Sequence, residues 1–149
     1  DMLNTVARQI GFHQFEVKFH EARIKSELTP DEIGDIWMET QSHAVGPYIN
    51  LNNDYRVLWG YIPHFVHTPF YVYAYAFGDS LVNALWYAYQ KSDKDEFSKK
   101  YIEMLSSGGT KSHNDLLKPF NLSAYEDSFW DKGISMIASL MDELEALKN

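Results

Sequence analysis

Imidazole and phenol side chains are concentrated in one short stretch of the sequence, residues 62–78, which reads IPHFVHTPFYVYAYAFG. Two histidines and three alternating tyrosines stand on either side of a proline there: His64, His67, Pro69, Tyr71, Tyr73 and Tyr75. Hydrophobic cores are ordinarily built from aliphatic side chains, which bring no polar atoms that need partners. Imidazole and phenol groups can donate hydrogen bonds to a carbonyl oxygen or to an oxyanion. The stretch is therefore a candidate substrate-binding site, and a core that satisfies all three tyrosine hydroxyls is the alternative.

This stretch resembles the substrate-contacting segment of the M3 family of zinc metallopeptidases, in particular its oligoendopeptidase F branch. The family pattern centres on His-Phe-x-x-x-Pro-Phe-Tyr-x-Tyr-x-Tyr, and the sequence matches it at His64, Phe65, Pro69, Phe70, Tyr71, Tyr73 and Tyr75. The resemblance implies that His64 and Tyr73 are catalytic residues, which bind the substrate carbonyl as it becomes an oxyanion.

The same resemblance makes Tyr71 an alternate substrate-binding donor beside His64 and Tyr73. Residues 71 and 73 would lie about 200° apart on a helix, so we do not expect both side chains to face one cleft. Tyr75 is expected to pack, and His67 falls at a variable position of the family pattern.

Further landmarks of the family occur in the family's order along almost the whole chain. They are Arg8-Gln9, Phe15-Glu16, Gly46-Pro47, Trp59, Gly108-Gly109, Pro119-Phe120 and Phe129-Trp130. The resemblance implies an all-α fold, an irregular multi-helix bundle that forms the C-terminal part of the M3 helical catalytic fold. We predict one helical domain over residues 1–149.

The zinc motif of the family, His-Glu-x-x-His, is missing from the sequence. The nearest fragment is His20-Glu21, but Ile24 stands where a second ligand is needed, and an aliphatic side chain cannot coordinate a metal. The resemblance implies that zinc belongs to a longer enzyme, whose missing N-terminal part carries the ligands and whose substrates are short unstructured peptides. We expect this chain alone to hold no catalytic zinc and to be inactive.

His13, Glu16 and His20 form a second group, whose spacing of three and four residues places them along one helical face. Imidazole and carboxylate groups bind divalent first-row metals, so a metal site is one interpretation. A solvated face, or contact with a neighbouring element, is the simpler one. The resemblance implies that this N-terminal helix supports the missing catalytic helices.

Composition excludes several other functions. The net charge is −8, from 21 acidic and 13 basic residues, which disfavours nucleic-acid binding. The absence of cysteine excludes disulfides and a cysteine nucleophile, and it fits a cytoplasmic protein. No apolar run approaches the roughly 20 residues that span a bilayer, so we expect no membrane partner. A non-catalytic helical protein-interaction domain is the alternative function, and exposed apolar surface could produce a dimer.

Hydrophobic spacing predicts helices along most of the chain, beginning with one over about residues 2–26. Thr29, Pro30 and Glu32 suit the N-cap, first position and capping box of a second helix, which should end near Gly46. Residues 47–63 are predicted to be a long loop with a helical turn at about residues 55–59.

A helix is also predicted over about residues 70–90, although residues 71–75 alternate as a strand does. Capping residues predict two more helices, one opened by Asp93 with Glu96 and one opened by Ser123 with Glu126. A short helix is also predicted over about residues 112–118, before Pro119. These elements must position the residues of the aromatic stretch.

Overall fold

The structure is a computed structural model that describes residues 2–147 of the chain, with the side chains from residue 4 onward. Within that range there are seven α-helices: α1 (Met2–Lys25), α2 (Pro30–Val45), α3 (His64–His67), α4 (Tyr73–Lys91), α5 (Lys94–Ser106), α6 (His113–Leu117) and α7 (Asp127–Ala146). Two 3₁₀-helices, Asn53–Tyr61 and Lys118–Phe120, complete the elements, and the described residues form no strand. The predicted all-α class is confirmed. No helix in this range combines the length and apolar composition that a bilayer crossing requires.

The chain divides into two compact units, one ending at Phe77 and the other beginning at Gly78. The first unit holds α1, α2, the 3₁₀-helix Asn53–Tyr61, α3 and the first turn of α4. The expectation of a single domain over residues 1–149 stays a prediction.

Aromatic side chains dominate the core of the first unit. Phe12, Phe15, Trp37 and Val72 are its buried centre. The ring centroids of Phe15 and Trp37 lie 5.2 Å apart at 87°, an edge-to-face arrangement that aromatic rings favour. The Trp37 indole Nε1 donates a hydrogen bond of 2.9 Å to the Tyr55 carbonyl, so α2 holds the 3₁₀-helix through its buried tryptophan.

The start of α2 follows the sequence prediction. Thr29 is the N-cap, and its hydroxyl oxygen accepts a hydrogen bond from the Glu32 amide. The Glu32 carboxylate accepts one of 2.7 Å from the Thr29 amide, which completes the capping box. The Thr29 hydroxyl also donates to this carboxylate, at 2.8 Å. Because the bonds from the Thr29 amide and hydroxyl favour the charged form, they lower the pKa of Glu32. The helix ends at Gly46, whose φ of 74° is readily adopted by glycine.

Arg56 ties the 3₁₀-helix to α2. Its Nη1 donates to the Asp35 carboxylate at 2.6 Å, and its Nη2 donates to the Asp31 carbonyl at 2.6 Å. The hydrogen bond from Arg56 lowers the pKa of Asp35. The stem of Arg56 crosses α2 at Gly34, where a β-carbon would lie 2.7 Å from Arg56 Cγ. A β-carbon at this crossing point would therefore force the Arg56 side chain to move.

Capping residues also open two helices of the second unit. Asp93 accepts from the amides of Asp95 and Glu96 at the start of α5, and Ser112 accepts from the Asp115 amide at the start of α6. The buried core of this unit includes Ala84, Phe97, Leu117, Phe120 and Phe129.

One sequence prediction on an element boundary was wrong, and one short helix was not predicted. The last helix does not open at Ser123, because the Glu126 amide donates to the Ser123 carbonyl in a turn and α7 begins at Asp127. The short helix α3 was not predicted, because Pro63 and Pro69 bound a segment too short for a periodic signal. The predicted helical turn near residues 55–59 is part of the 3₁₀-helix Asn53–Tyr61.

Candidate functional site

The aromatic stretch is attached to the core of the first unit by apolar side chains. Ile62 and Phe65 pack against the core cluster, and Val72 belongs to it with 1% of its surface exposed. These anchors leave the polar aromatic residues between and after them at least partly accessible to solvent. The burial of residues 62, 65 and 72 thus fixes where His64 and the tyrosines stand.

His64, Tyr71 and Tyr75 form a cluster of three rings, which we call the ring cluster. The Nε2 atom of His64 and the hydroxyl oxygen of Tyr75 lie 2.9 Å apart, a hydrogen-bond distance. The His64 and Tyr71 rings are parallel, with centroids 6.1 Å apart, and the Tyr75 ring stands perpendicular to both. Tyr71 is 50% exposed and Tyr75 is 42% exposed, so both phenols can meet a ligand.

Tyr73 lies in a different environment. Its ring centroid is 5.9 Å from that of His13 on α1, and the side chain is 53% exposed. The structure therefore brings His64 together with Tyr71 and Tyr75, while Tyr73 stands against α1. The catalytic role expected for Tyr73 stays a prediction.

Sequence reasoning missed Tyr75 as a polar partner of His64 and assigned it to packing. Tyr71 and Tyr75 are four residues apart, but Tyr71 precedes α4, so helical spacing alone does not indicate that the two side chains share a face. His67 is exposed at the end of α3.

The group His13, Glu16 and His20 contacts the aromatic stretch. His13 meets the Tyr73 ring, the Glu16 carboxylate accepts a hydrogen bond of 2.7 Å from the Phe70 amide, and the His20 ring lies 4.7 Å from the Phe70 ring. These contacts agree with the interpretation in which the group serves a neighbouring element.

The residues that the structure describes do not fit a zinc ion. Among them, no group of three or more histidine, cysteine, aspartate or glutamate side chains could hold a metal. The ring cluster offers one imidazole and two phenols, and Glu16 meets a backbone amide. The ring cluster can therefore supply hydrogen bonds to a ligand.

A groove of about 1100 Å³ runs between α1 and α2 in the same unit. His13 and Gln14 border it from α1, and Glu39 and His43 border it from α2. Its size is sufficient for a small ligand or a few peptide residues. Because His13 also meets the Tyr73 ring, Tyr73 lies next to a residue of this groove.

Comparison with known proteins places this all-helical chain, with its histidine and tyrosine cluster, among the peptidases. The profile of peptidase family M3 matches residues 2–136, and the chain belongs to that family. An oligoendopeptidase F homolog of Borreliella burgdorferi is 26% identical over 148 residues, which are 99% of this chain and 25% of the relative. The plasmid-encoded oligoendopeptidase F of Lactococcus lactis subsp. cremoris is 26% identical over 144 residues, 96% of this chain and 24% of the relative.

The chain thus spans about a quarter of the length of the curated relatives it matches. No solved structure matches it significantly. The predicted family membership is confirmed.

Proposed function

We propose that this chain is the substrate-binding part of a zinc-dependent oligoendopeptidase that hydrolyses short peptides. The observation that carries the proposal is the distance of 2.9 Å between His64 Nε2 and the Tyr75 hydroxyl, within a ring cluster that is partly open to solvent. Membership of peptidase family M3 and the names of the relatives support the reaction class.

Either arrangement of the proton between His64 and Tyr75 leaves a donor for a substrate oxygen. If the Tyr75 hydroxyl donates to Nε2, the imidazole keeps its proton on Nδ1 and can donate from there. If Nε2 donates to Tyr75, the hydroxyl hydrogen of Tyr75 is free for the substrate. A donor placed where an oxyanion develops is worth roughly 10²–10³ in rate.

Zinc and its ligands are proposed to reside in the N-terminal part of the intact protein, where they would supply an activated water. That part is also a proposed partner of this chain, since it could cover exposed apolar side chains such as Tyr61 and Val66. We also propose that the same surfaces could form a dimer. A cytoplasmic location is a separate proposal.

Tyr73 is the second proposed substrate-binding residue. Support comes from its exposed side chain, which contacts His13, a residue that borders the groove between α1 and α2. In this arrangement His64 would bind the reacting carbonyl with Tyr75 or Tyr71, and Tyr73 would contact another part of the peptide.

The proposal is tested by assaying the intact protein on an internally quenched peptide, before and after zinc is removed by a chelator. We expect hydrolysis that zinc restores, and a loss of roughly 10²–10³ in kcat for His64→Ala. An intact protein without a His-Glu-x-x-His helix, or a His64→Ala variant with unchanged kcat, would favour the alternative of a non-catalytic helical interaction domain.

A further inference from the structure

We infer that Glu16 is a positioning residue, whose buried carboxylate holds the turn at Phe70 and so sets where Tyr71 and Tyr75 stand against His64. This inference deepens the proposed function and rests on it for its catalytic consequence. The hydrogen bond that Glu16 makes is with the Phe70 amide and not with a residue of the ring cluster. Its effect on the cluster would therefore pass through the backbone of Phe70.

Phe70 occupies a backbone conformation that a residue with a β-carbon disfavours. Its φ is 61°, in the left-handed region, where glycine would be the usual choice. Its amide donates a hydrogen bond of 2.7 Å to Glu16 Oε1. A carboxylate acceptor gives a shorter and stronger bond than a neutral one, which helps to hold this turn.

Burial of the Glu16 carboxylate carries a desolvation cost. Glu16 is only 1% exposed, and its Oε2 atom has no hydrogen-bond partner within residues 2–147. A buried polar atom without a partner is costly, and an apolar side chain of similar size would avoid that cost. The hydrogen bond from the Phe70 amide is the contact that compensates for burying the Glu16 carboxylate.

A second contact from α1 supports the same residue. His20 lies one helical turn after Glu16, and its ring centroid is 4.7 Å from that of Phe70. Helix α1 therefore holds Phe70 twice, by its backbone amide and by its ring. Two residues further on, Val72 is buried in the core and fixes the other side of the turn.

The turn at Phe70 connects the elements that carry the ring cluster. His64 opens α3, Tyr75 lies in the first turn of α4, and Tyr71 lies between the two helices. A change at Phe70 would therefore alter where Tyr75 stands relative to His64. Misplacement of a catalytic group by about 1 Å can cost on the order of 10² in rate.

The test uses two variants of similar size in the intact protein. Glu16→Met removes the acceptor, whereas Glu16→Gln removes the charge and keeps a carbonyl oxygen that the Phe70 amide can reach. Glu27→Gln, at a position that is exposed on the surface, is the control. Kinetics on a quenched peptide are combined with amide hydrogen exchange of the segment 68–72, read by mass spectrometry.

For Glu16→Met we expect kcat to fall about 10–100-fold with KM changed less than about threefold, together with faster exchange in 68–72. Glu16→Gln should keep kcat within about threefold of the parent protein and slow exchange. If Glu16→Met does not fold, Glu16→Asp takes its place. Its carboxylate keeps the charge but is one methylene too short to reach the Phe70 amide, so the same changes in kcat and exchange are expected.

Unchanged exchange in Glu16→Met, unchanged kcat despite faster exchange, or equal damage by Gln and Met would overturn the inference. Failure of the proposed function has a different signature, in which His64→Ala leaves kcat unaffected. In that case the exchange of residues 68–72 decides by itself whether Glu16 holds the turn.

Discussion

Tyr71 precedes α4, whereas Tyr73 and Tyr75 lie in its first turn. These three similar side chains have different neighbours: Tyr71 and Tyr75 meet His64, and Tyr73 meets His13. Burial of Val72 fixes the orientation, because it directs the side chains on both sides of it away from the core. Alternation in the sequence therefore does not predict a shared role for the three tyrosines.

Replacing Tyr75 by phenylalanine isolates the hydroxyl that lies beside His64. Tyr75→Phe keeps the ring contacts and removes the oxygen 2.9 Å from Nε2, so we expect kcat of the intact protein to fall on the order of 10²-fold. KM should change little, since the bond matters most when charge develops on the substrate oxygen. Steady-state kinetics on a quenched peptide measure both constants.

Tyr125→Phe, which removes an exposed hydroxyl in the second unit, is the matched control. Tyr73→Phe provides the contrasting test, since the family resemblance favours residue 73 and the geometry favours residue 75. A large loss of kcat in Tyr73→Phe with none in Tyr75→Phe would contradict the geometric assignment.

At the scale of elements, prediction succeeded where a local hydrogen bond decides the outcome. Thr29 with Glu32 and Asp93 with Glu96 cap helices as predicted, because the bonds they make span at most three residues. Ser123 failed although its spacing to Glu126 was suitable. There the Trp130 indole donates to the Ala124 carbonyl and the Glu126 amide donates to the Ser123 carbonyl, so residues 123–126 form a turn.

The candidate site was predictable to the extent that it is local. The stretch 62–78 could be identified from its residue types, and its helical continuation followed from periodicity. The contact between Glu16 and Phe70 joins residues 54 positions apart, and no local pattern encodes such a pairing. The choice of Tyr75 over Tyr73 beside His64 depends on where α4 begins, and element boundaries are weakly specified by sequence.

The crossing of Arg56 over α2 gives a test of packing between two elements. Replacing an interior helical glycine with alanine ordinarily stabilises a helix by roughly 0.5–1 kcal/mol. At Gly34 the new β-carbon would lie 2.7 Å from Arg56 Cγ and 2.9 Å from Nε, so we expect Gly34→Ala to destabilise the protein instead. Urea unfolding followed by circular dichroism measures the change.

The background variant Arg56→Ala provides the control for Gly34→Ala. Without the arginine stem, the alanine should regain its ordinary helical advantage, so the effect of Gly34→Ala should reverse sign in that background. The same sign in both backgrounds would show that Arg56 is not the obstacle.

The hydrogen bonds at the start of α2 also predict a dependence of stability on pH. The pKa values of Glu32 and Asp35 are both lowered in the folded state, by Thr29 and by Arg56 respectively. Their stabilising contribution is therefore complete above the unfolded-state pKa values near 4, and it is lost as the pH falls through the lower folded-state values. Asp35→Asn should make the urea midpoint fall less steeply below about pH 4 than in the parent protein.

Asp54→Asn, which changes an exposed carboxylate in the same unit, serves as the control for this measurement. Equal pH profiles for the parent protein and Asp35→Asn would show that the contact between Arg56 and Asp35 contributes nothing to folding.

At the scale of the whole molecule, composition and exposed surface act in opposite directions. The chain carries a net charge of −8, which opposes association between copies. It also exposes large apolar side chains in the first unit, including Tyr61 at 82% and Val66 at 74%. Surfaces of this kind mark interaction sites. Together with a length about a quarter of that of the relatives, they support our proposal that an N-terminal part completes the enzyme.

The ring cluster by itself is not sufficient for peptide hydrolysis, and this gives the last prediction. A histidine and a tyrosine can stabilise an oxyanion, but attack on a peptide carbonyl also requires an activated water, which the metal supplies in this class of enzyme. We therefore expect the purified chain of 149 residues to show no hydrolysis of a quenched peptide, with or without added zinc. Metal analysis after dialysis should find no stoichiometric zinc.

The His64→Ala form of the chain is assayed in parallel, because a contaminating protease would give equal activity in both preparations. Zinc-dependent hydrolysis by the parent chain that His64→Ala abolishes would contradict the prediction and require ligands within these residues.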